Sequence, residues 1–131
     1  LVSVFLIDVH SKRAQGFVAG LSAAPTISSW TIAEFSSAVA ARLRAKSVTD
    51  REAAEALALF DRWVNGVSSV AVVTDDDIRA SAFMVRRPNI ALKTPDALHI
   101  AICRRLGLQL ATIDAQMALA ATALGVAVAA T

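Results

Sequence analysis

The chain has 131 residues, enough for one domain with a core of its own. Hydrophobic residues make up 56% and charged residues 18%, which excludes a disordered chain and points to an ordered, helix-rich protein. The formal net charge of +2 is compatible with a nucleic-acid partner but does not require one. Cys103 is the single cysteine, so an internal disulfide and a cysteine-based metal site are both excluded, and a reducing, cytoplasmic setting is expected. Residues 1–7 are apolar but lack the basic flank and cleavage pattern of a signal peptide. The uncharged run 115–131 is too short and too rich in alanine and threonine to suggest a membrane span.

Residues 1–6 read as the end of a buried strand or the first turns of a buried helix. Asp8-Val9-His10-Ser11 is turn-like, and Ser11 is placed to cap a helix over about 11–21, with Ala14, Phe17, Val18 and Leu21 on one face. Ala24-Pro25 breaks it, and 26–29 is a short strand. Ser28 and Ser29 are placed to cap the next helix, over about 31–45, which carries an apolar stripe of Ile32, Phe35, Val39 and Leu43. Thr49 and Glu52 have the spacing of a capping box. Their helix runs to about Val64, with Ala53, Leu57, Phe60 and Val64 inward, and stops at Asn65-Gly66. The β-branched run 67–73 is a strand. Thr74 caps a helix reaching about Arg87, with three aspartates in its first turn that suit the helix dipole.

Pro88-Asn89 opens a loop to Lys93. Thr94 then reads as an N-cap, Pro95 as the first helical residue and Asp96 as a first-turn acid, in a helix that Gly107 ends. Residues 109–113 form a strand. Asp114 caps a helix to about Leu124 with Met117, Ala121 and Leu124 inward, and after Gly125 a last strand covers 126–129. Strands separated by helices predict an α/β fold with a parallel sheet.

Three carboxylates, Glu34, Asp96 and Asp114, each fall where a short strand hands over to a helix. In open parallel α/β sheets, ligands bind at the carboxyl ends of the strands. Acids gathered there repel one another, and a hard divalent cation such as Mg²⁺ or Mn²⁺ relieves the repulsion. Such a cation activates water and stabilises charge on a phosphodiester oxygen, which points to metal-dependent phosphodiester hydrolysis. Each acid also has a plainer role: Asp96 completes a good helix start, and Asp114 is a standard N-cap.

The segments Ser29-Trp30-Thr31-Ile32-Ala33-Glu34-Phe35, Thr94-Pro95-Asp96-Ala97-Leu98-His99-Ile100-Ala101 and Thr112-Ile113-Asp114 resemble, in order and spacing, the acidic motifs of PIN domains. The nearest likeness is to the VapC-type toxins of bacterial toxin–antitoxin pairs, and it spans essentially the whole chain. Asp-Ala-Leu-His-Ile-Ala is its most specific piece. The resemblance implies a three-layer α/β/α fold with a mostly parallel sheet, and a Mg²⁺- or Mn²⁺-dependent endoribonuclease. It further implies an RNA substrate, a cognate antitoxin and a homodimer. Glu34, Asp96 and Asp114 would form the catalytic, metal-holding set, with the Thr112 hydroxyl beside them.

The family pattern opens with a strand ending in an aspartate, ahead of an apolar helix. Here the chain opens on what looks like that helix, and Asp8 follows the apolar run instead of preceding it. The expectation is a single PIN-like domain over 1–131, N-terminally incomplete. A chain truly without that aspartate would instead be a catalytically inactive module that binds RNA or protein.

His99 shares a helix side with Asp96 and is expected to pack or to hydrogen-bond behind it. His10 is given no role. Arg86, Arg87 and Lys93 flank the loop before Asp96 and can line an approach for RNA phosphates. Arg42, Arg44 and Lys46, like Arg104 and Arg105, read as helix-end charges. Trp30 is able to stack on a base, and Trp63 is expected in the core or at an interface. The apolar faces of 31–45 and 49–64 are either antitoxin docking surfaces or core.

Overall fold

The structure, a computed structural model, describes residues 1–6 and 10–129; Asp8 and the turn expected around it lie outside the described residues. The chain divides into two compact units, Leu1–Val72 and Val73–Thr131.

In the first unit the elements are α1 (Val2–Phe5), α2 (Ser11–Ala19), β1 (Thr26–Ser28), α3 (Ser29–Arg44), α4 (Asp50–Val67) and β2 (Ser69–Ala71). The opening segment is thus a helix, not a strand end. Ser11 is not the cap of α2 but its first helical residue. It is buried, and its hydroxyl donates to the Leu6 carbonyl at 3.1 Å, which ties the start of α2 to the end of the first apolar segment.

Strands β1 and β2 pair in parallel, Thr26 with Ser69, Ile27 with Val70 and Ser28 with Ala71, and the Thr26 and Ser69 hydroxyls share a hydrogen bond of 2.8 Å. The second strand is three residues long where seven were expected, because α4 runs on through Asn65-Gly66 to Val67. A glycine inside a helix costs only about 1 kcal/mol, which the packed turns before it outweigh.

Aromatic rings make the core of this unit. Phe35 of α3 and Phe60 of α4 stack with centroids 3.9 Å apart, and Phe5 stands edge-on to both at 5.6 and 5.5 Å. Ala53 and Ala56 lie buried on α4 together with Val39 of α3. The apolar stripes of α3 and α4 are therefore core. Trp63, half-buried, continues the stack beyond Phe60.

The second unit holds α5 (Asp75–Val85), α6 (Thr94–Leu106) and α7 (Ala115–Ala123). Its core joins Met84, Ala97, Ile100, Ala101, Met117, Ala120, Ala121 and Leu124 with Leu110 and Val126. The strand expected over 109–113 is reduced to one parallel bridge, Leu110 with Val128. There the Leu110 N–H donates to Ala127 and the Ala129 N–H to the Leu110 carbonyl, at 2.8 and 2.9 Å. Leu110 alone of those five residues is buried. Gly107, at φ 65°, ends α6 as expected. Parallel strand pairing beside helices in both units makes the chain an α/β protein. Among the described residues no helix is long and apolar enough to cross a membrane.

Candidate active site

Glu34 belongs to the first unit. Its helix starts two residues earlier than the periodicity suggested, because Ser28 is the N-cap. The Ser28 hydroxyl accepts the Thr31 N–H at 3.1 Å, and the Thr31 hydroxyl accepts the Ser28 N–H at 3.3 Å. The capping role expected of Ser28 is present, and Glu34 moves from the first turn into the second. It is half-buried, beside the fully buried Phe35.

Asp96 and Asp114 both belong to the second unit. The N-cap position of α6 is Lys93, with no side-chain bond, so Thr94 is the first helical residue and Pro95 the second. The boundary shifts by one, yet Asp96 stays in the first turn, half-buried, where the positive end of the helix favours a carboxylate. Asp114 is exposed and caps α7: its Oδ1 accepts the N–H groups of Gln116 and Met117 at 2.8 and 3.0 Å. Both bonds fall on one oxygen, so the cap leaves Oδ2 unused. The Thr112 hydroxyl accepts the Asp114 N–H at 3.1 Å, so it shapes the turn that presents the carboxylate. Ala97, next to Asp96, and Met117, at the third position after Asp114, sit in the same core.

Sequence reasoning missed one acid. By sequence, Asp77 reads like Asp75 and Asp76 as a dipole-facing residue, and Arg105 like Arg104 as a helix-end charge. In fact Asp77 is 2% exposed and takes two bonds from Arg105, Nε to Oδ1 at 2.8 Å and Nη2 to Oδ2 at 2.9 Å. Its Oδ2 also accepts the Thr74 N–H and hydroxyl. Burial pushes the Asp77 carboxyl up, but the guanidinium and the Thr74 donors outweigh it and hold the group below the usual carboxylate range. No local pattern links positions 28 residues apart, so the pair was not legible. With its oxygens occupied in this way, Asp77 is a structural acid. Burial raises the Cys103 thiol, which stays protonated at neutral pH and offers no nucleophile.

A PIN domain family model matches residues 1–123, running through both units and across all three expected acids. The chain belongs to the PIN domain family, whose members are generally nucleases and typically use divalent metals. No curated protein matches the chain. The donor types suit such a metal. Glu34, Asp96 and Asp114 offer carboxylate oxygens only, which Mg²⁺ and Mn²⁺ prefer, and Asp114 can lend Oδ2 without giving up its cap. Among the described residues, neither unit by itself gathers three His, Cys, Asp or Glu side chains able to hold a metal ion. Few protein ligands completed by water is the usual arrangement for Mg²⁺.

Proposed function

We propose that the chain is a metal-dependent endoribonuclease, the toxin of a toxin–antitoxin pair, with Glu34, Asp96 and Asp114 as its catalytic, metal-holding acids. The observation that carries this is the family match over 1–123, which takes in all three acids and supports treating the two units as one domain. RNA is the substrate, a cognate antitoxin holds the enzyme inactive, and the working form is a homodimer in the cytoplasm.

A bound Mg²⁺ or Mn²⁺ supplies charge neutralisation at the phosphodiester and acidifies water. The chain supplies the rest. The N-terminus of α6 sets a carboxylate against its own positive end at Asp96. The Thr112–Asp114 turn holds a second carboxylate on a fixed backbone, and α3 holds Glu34 next to the packed ring of Phe35. His99, on the Asp96 side of α6, is half-buried.

The test is cleavage of a mixed pool of RNAs by the full protein, with Mn²⁺ or with EDTA, beside Asp96→Asn. Metal-dependent cleavage that is lost in the variant is the expected result. An intact protein that leaves every RNA uncut, with Mn²⁺ present and any inhibitor removed, overturns the enzyme in favour of a PIN-like binding module.

A further inference from the structure

The outer face of α5 is unlike the other helix surfaces of the second unit. Phe83 is 70% exposed, the most exposed aromatic ring among the described residues. Arg79 precedes it by four positions on the helix and Arg86, at the C-cap, follows by three, so both neighbour the ring, and Arg87 comes directly after the helix end. Each is exposed, and none is in an ion pair among the described residues. The Arg86 guanidinium carbon lies 5.9 Å from the centre of the Phe83 ring. The opposite face carries Asp77, Ser81 and Met84, all buried. The core therefore dictates which way this helix faces, and it leaves the ring between Arg79 and Arg86, with Arg87 just past the helix end.

The Asp77–Arg105 pair also fixes where that ring lies. Asp77 is near the start of α5 and Arg105 near the end of α6, and Met84 shares a core with Ala97 and Ile100. The two helices are therefore antiparallel, with the end of α5 beside the start of α6. Arg86 lies nine residues after Asp77, and Asp96 nine residues before Arg105. At 1.5 Å per residue, both stand about 13.5 Å from the ion pair along the helix axes. The cationic end of α5 at Arg86 is thus level with Asp96, and Phe83, six residues after Asp77, lies about 9 Å from the pair, roughly one helical turn short of that level.

We infer that this stripe is a platform for single-stranded RNA: a base stacks on Phe83, Arg79, Arg86 and Arg87 take the flanking phosphates, and the strand is delivered toward Asp96. Every base has a face that can stack on an aromatic ring, and arginine beside the ring adds charge for the backbone, so such a platform binds without demanding a sequence. The acids Asp75 and Asp76 at the other end of α5 disfavour a polyanion there, which gives the strand a direction. A protein partner is less well matched, since a ring isolated among cations is not the continuous apolar stripe that a partner helix covers. The inference deepens the nuclease reading and rests on it for the choice of RNA over another polyanion.

The test is binding of a fluorescein-labelled 12-nucleotide oligo(U) by the full protein in EDTA, followed by fluorescence anisotropy across a salt series. Phe83→Ala is expected to weaken binding by about five- to a hundredfold, and Phe83→Trp to retain it. Changing Arg86 and Arg87 to Gln is expected to flatten the salt dependence by about 0.7 in log–log slope per arginine. Phe83 is exposed, so unchanged melting temperatures should accompany both of its variants. Binding by Phe83→Ala within twofold of the parent overturns the platform, as does a parent that binds no oligo(U). So does a Phe83→Ala variant whose only change is in sedimentation mass, which assigns the ring to a protein contact. Because EDTA separates binding from cleavage, the two readings fail separately. Phe83-dependent binding by a protein that never cuts RNA keeps the platform and overturns the nuclease. Metal-dependent cleavage with KM unchanged in Phe83→Ala does the reverse.

Discussion

Asp114 shows how one carboxylate can serve two purposes. Its Oδ1 closes the first turn of α7 through two backbone N–H groups, and its Oδ2 is left over. Asparagine caps a helix as well as aspartate does, whereas alanine does not. Asp114→Asn should therefore unfold in urea within about 0.5 kcal/mol of the parent, and Asp114→Ala should lose about 1 kcal/mol. Both should lose RNA cleavage if Oδ2 holds the metal, because neither keeps the negative charge. Full cleavage by the asparagine variant would reduce Asp114 to a cap.

Two glycines separate helix continuation from helix termination at the scale of the element. Gly66 lies within α4, and a Cβ there would meet nothing within 4 Å. Gly107 ends α6 at φ 65°, again with nothing near a Cβ. With no steric neighbour at either site, only the backbone decides the sign. Gly66→Ala should stabilise the protein by about 0.5–1 kcal/mol by reducing the freedom of the unfolded chain and favouring the helix. Gly107→Ala should destabilise it by about 1–2 kcal/mol, since an L-residue is forced into the left-handed region. Chemical denaturation of the two variants side by side checks both. Shifts of the same sign would mean that one of the two helix ends is misassigned.

For the whole molecule, the buried Asp77–Arg105 pair sets the response to acid. The Asp77 carboxyl is held below its usual range when folded, so the unfolded chain takes up its proton first as pH falls. Its stabilisation is thus complete above the ordinary carboxylate range and is lost progressively below about pH 5, as pH falls through the lower native value. Glu52, bonded to the Thr49 N–H and hydroxyl, acts in the same sense from an exposed position. Asp77→Asn should start less stable at pH 7, because Arg105 loses its charged partner, and should then lose less on acidification than the parent. Urea midpoints measured from pH 7 to pH 3 give the two slopes, and parallel curves would show that Asp77 does not govern the acid response.

The amino-acid sequence by itself determined the local grammar of the chain. It placed the caps at Ser28, Thr49, Thr74 and Asp114, the stop at Gly107, the inward stripes of Phe35 and Val39 and of Met117 and Ala121, and the PIN resemblance that the family match bears out. These features depend on a few neighbouring residues, and backbone hydrogen bonding and helical period are set at that range. The tertiary structure alone decided how long each strand became: α4 runs on to Val67 and leaves β2 three residues, and around Leu110 the pairing stops at one bridge. It alone also decided which of three adjacent aspartates is buried against Arg105, and that Phe83 faces outward from a helix whose other side is core. These outcomes depend on which distant segment covers a residue, and no periodicity within α5 encodes its packing against α6.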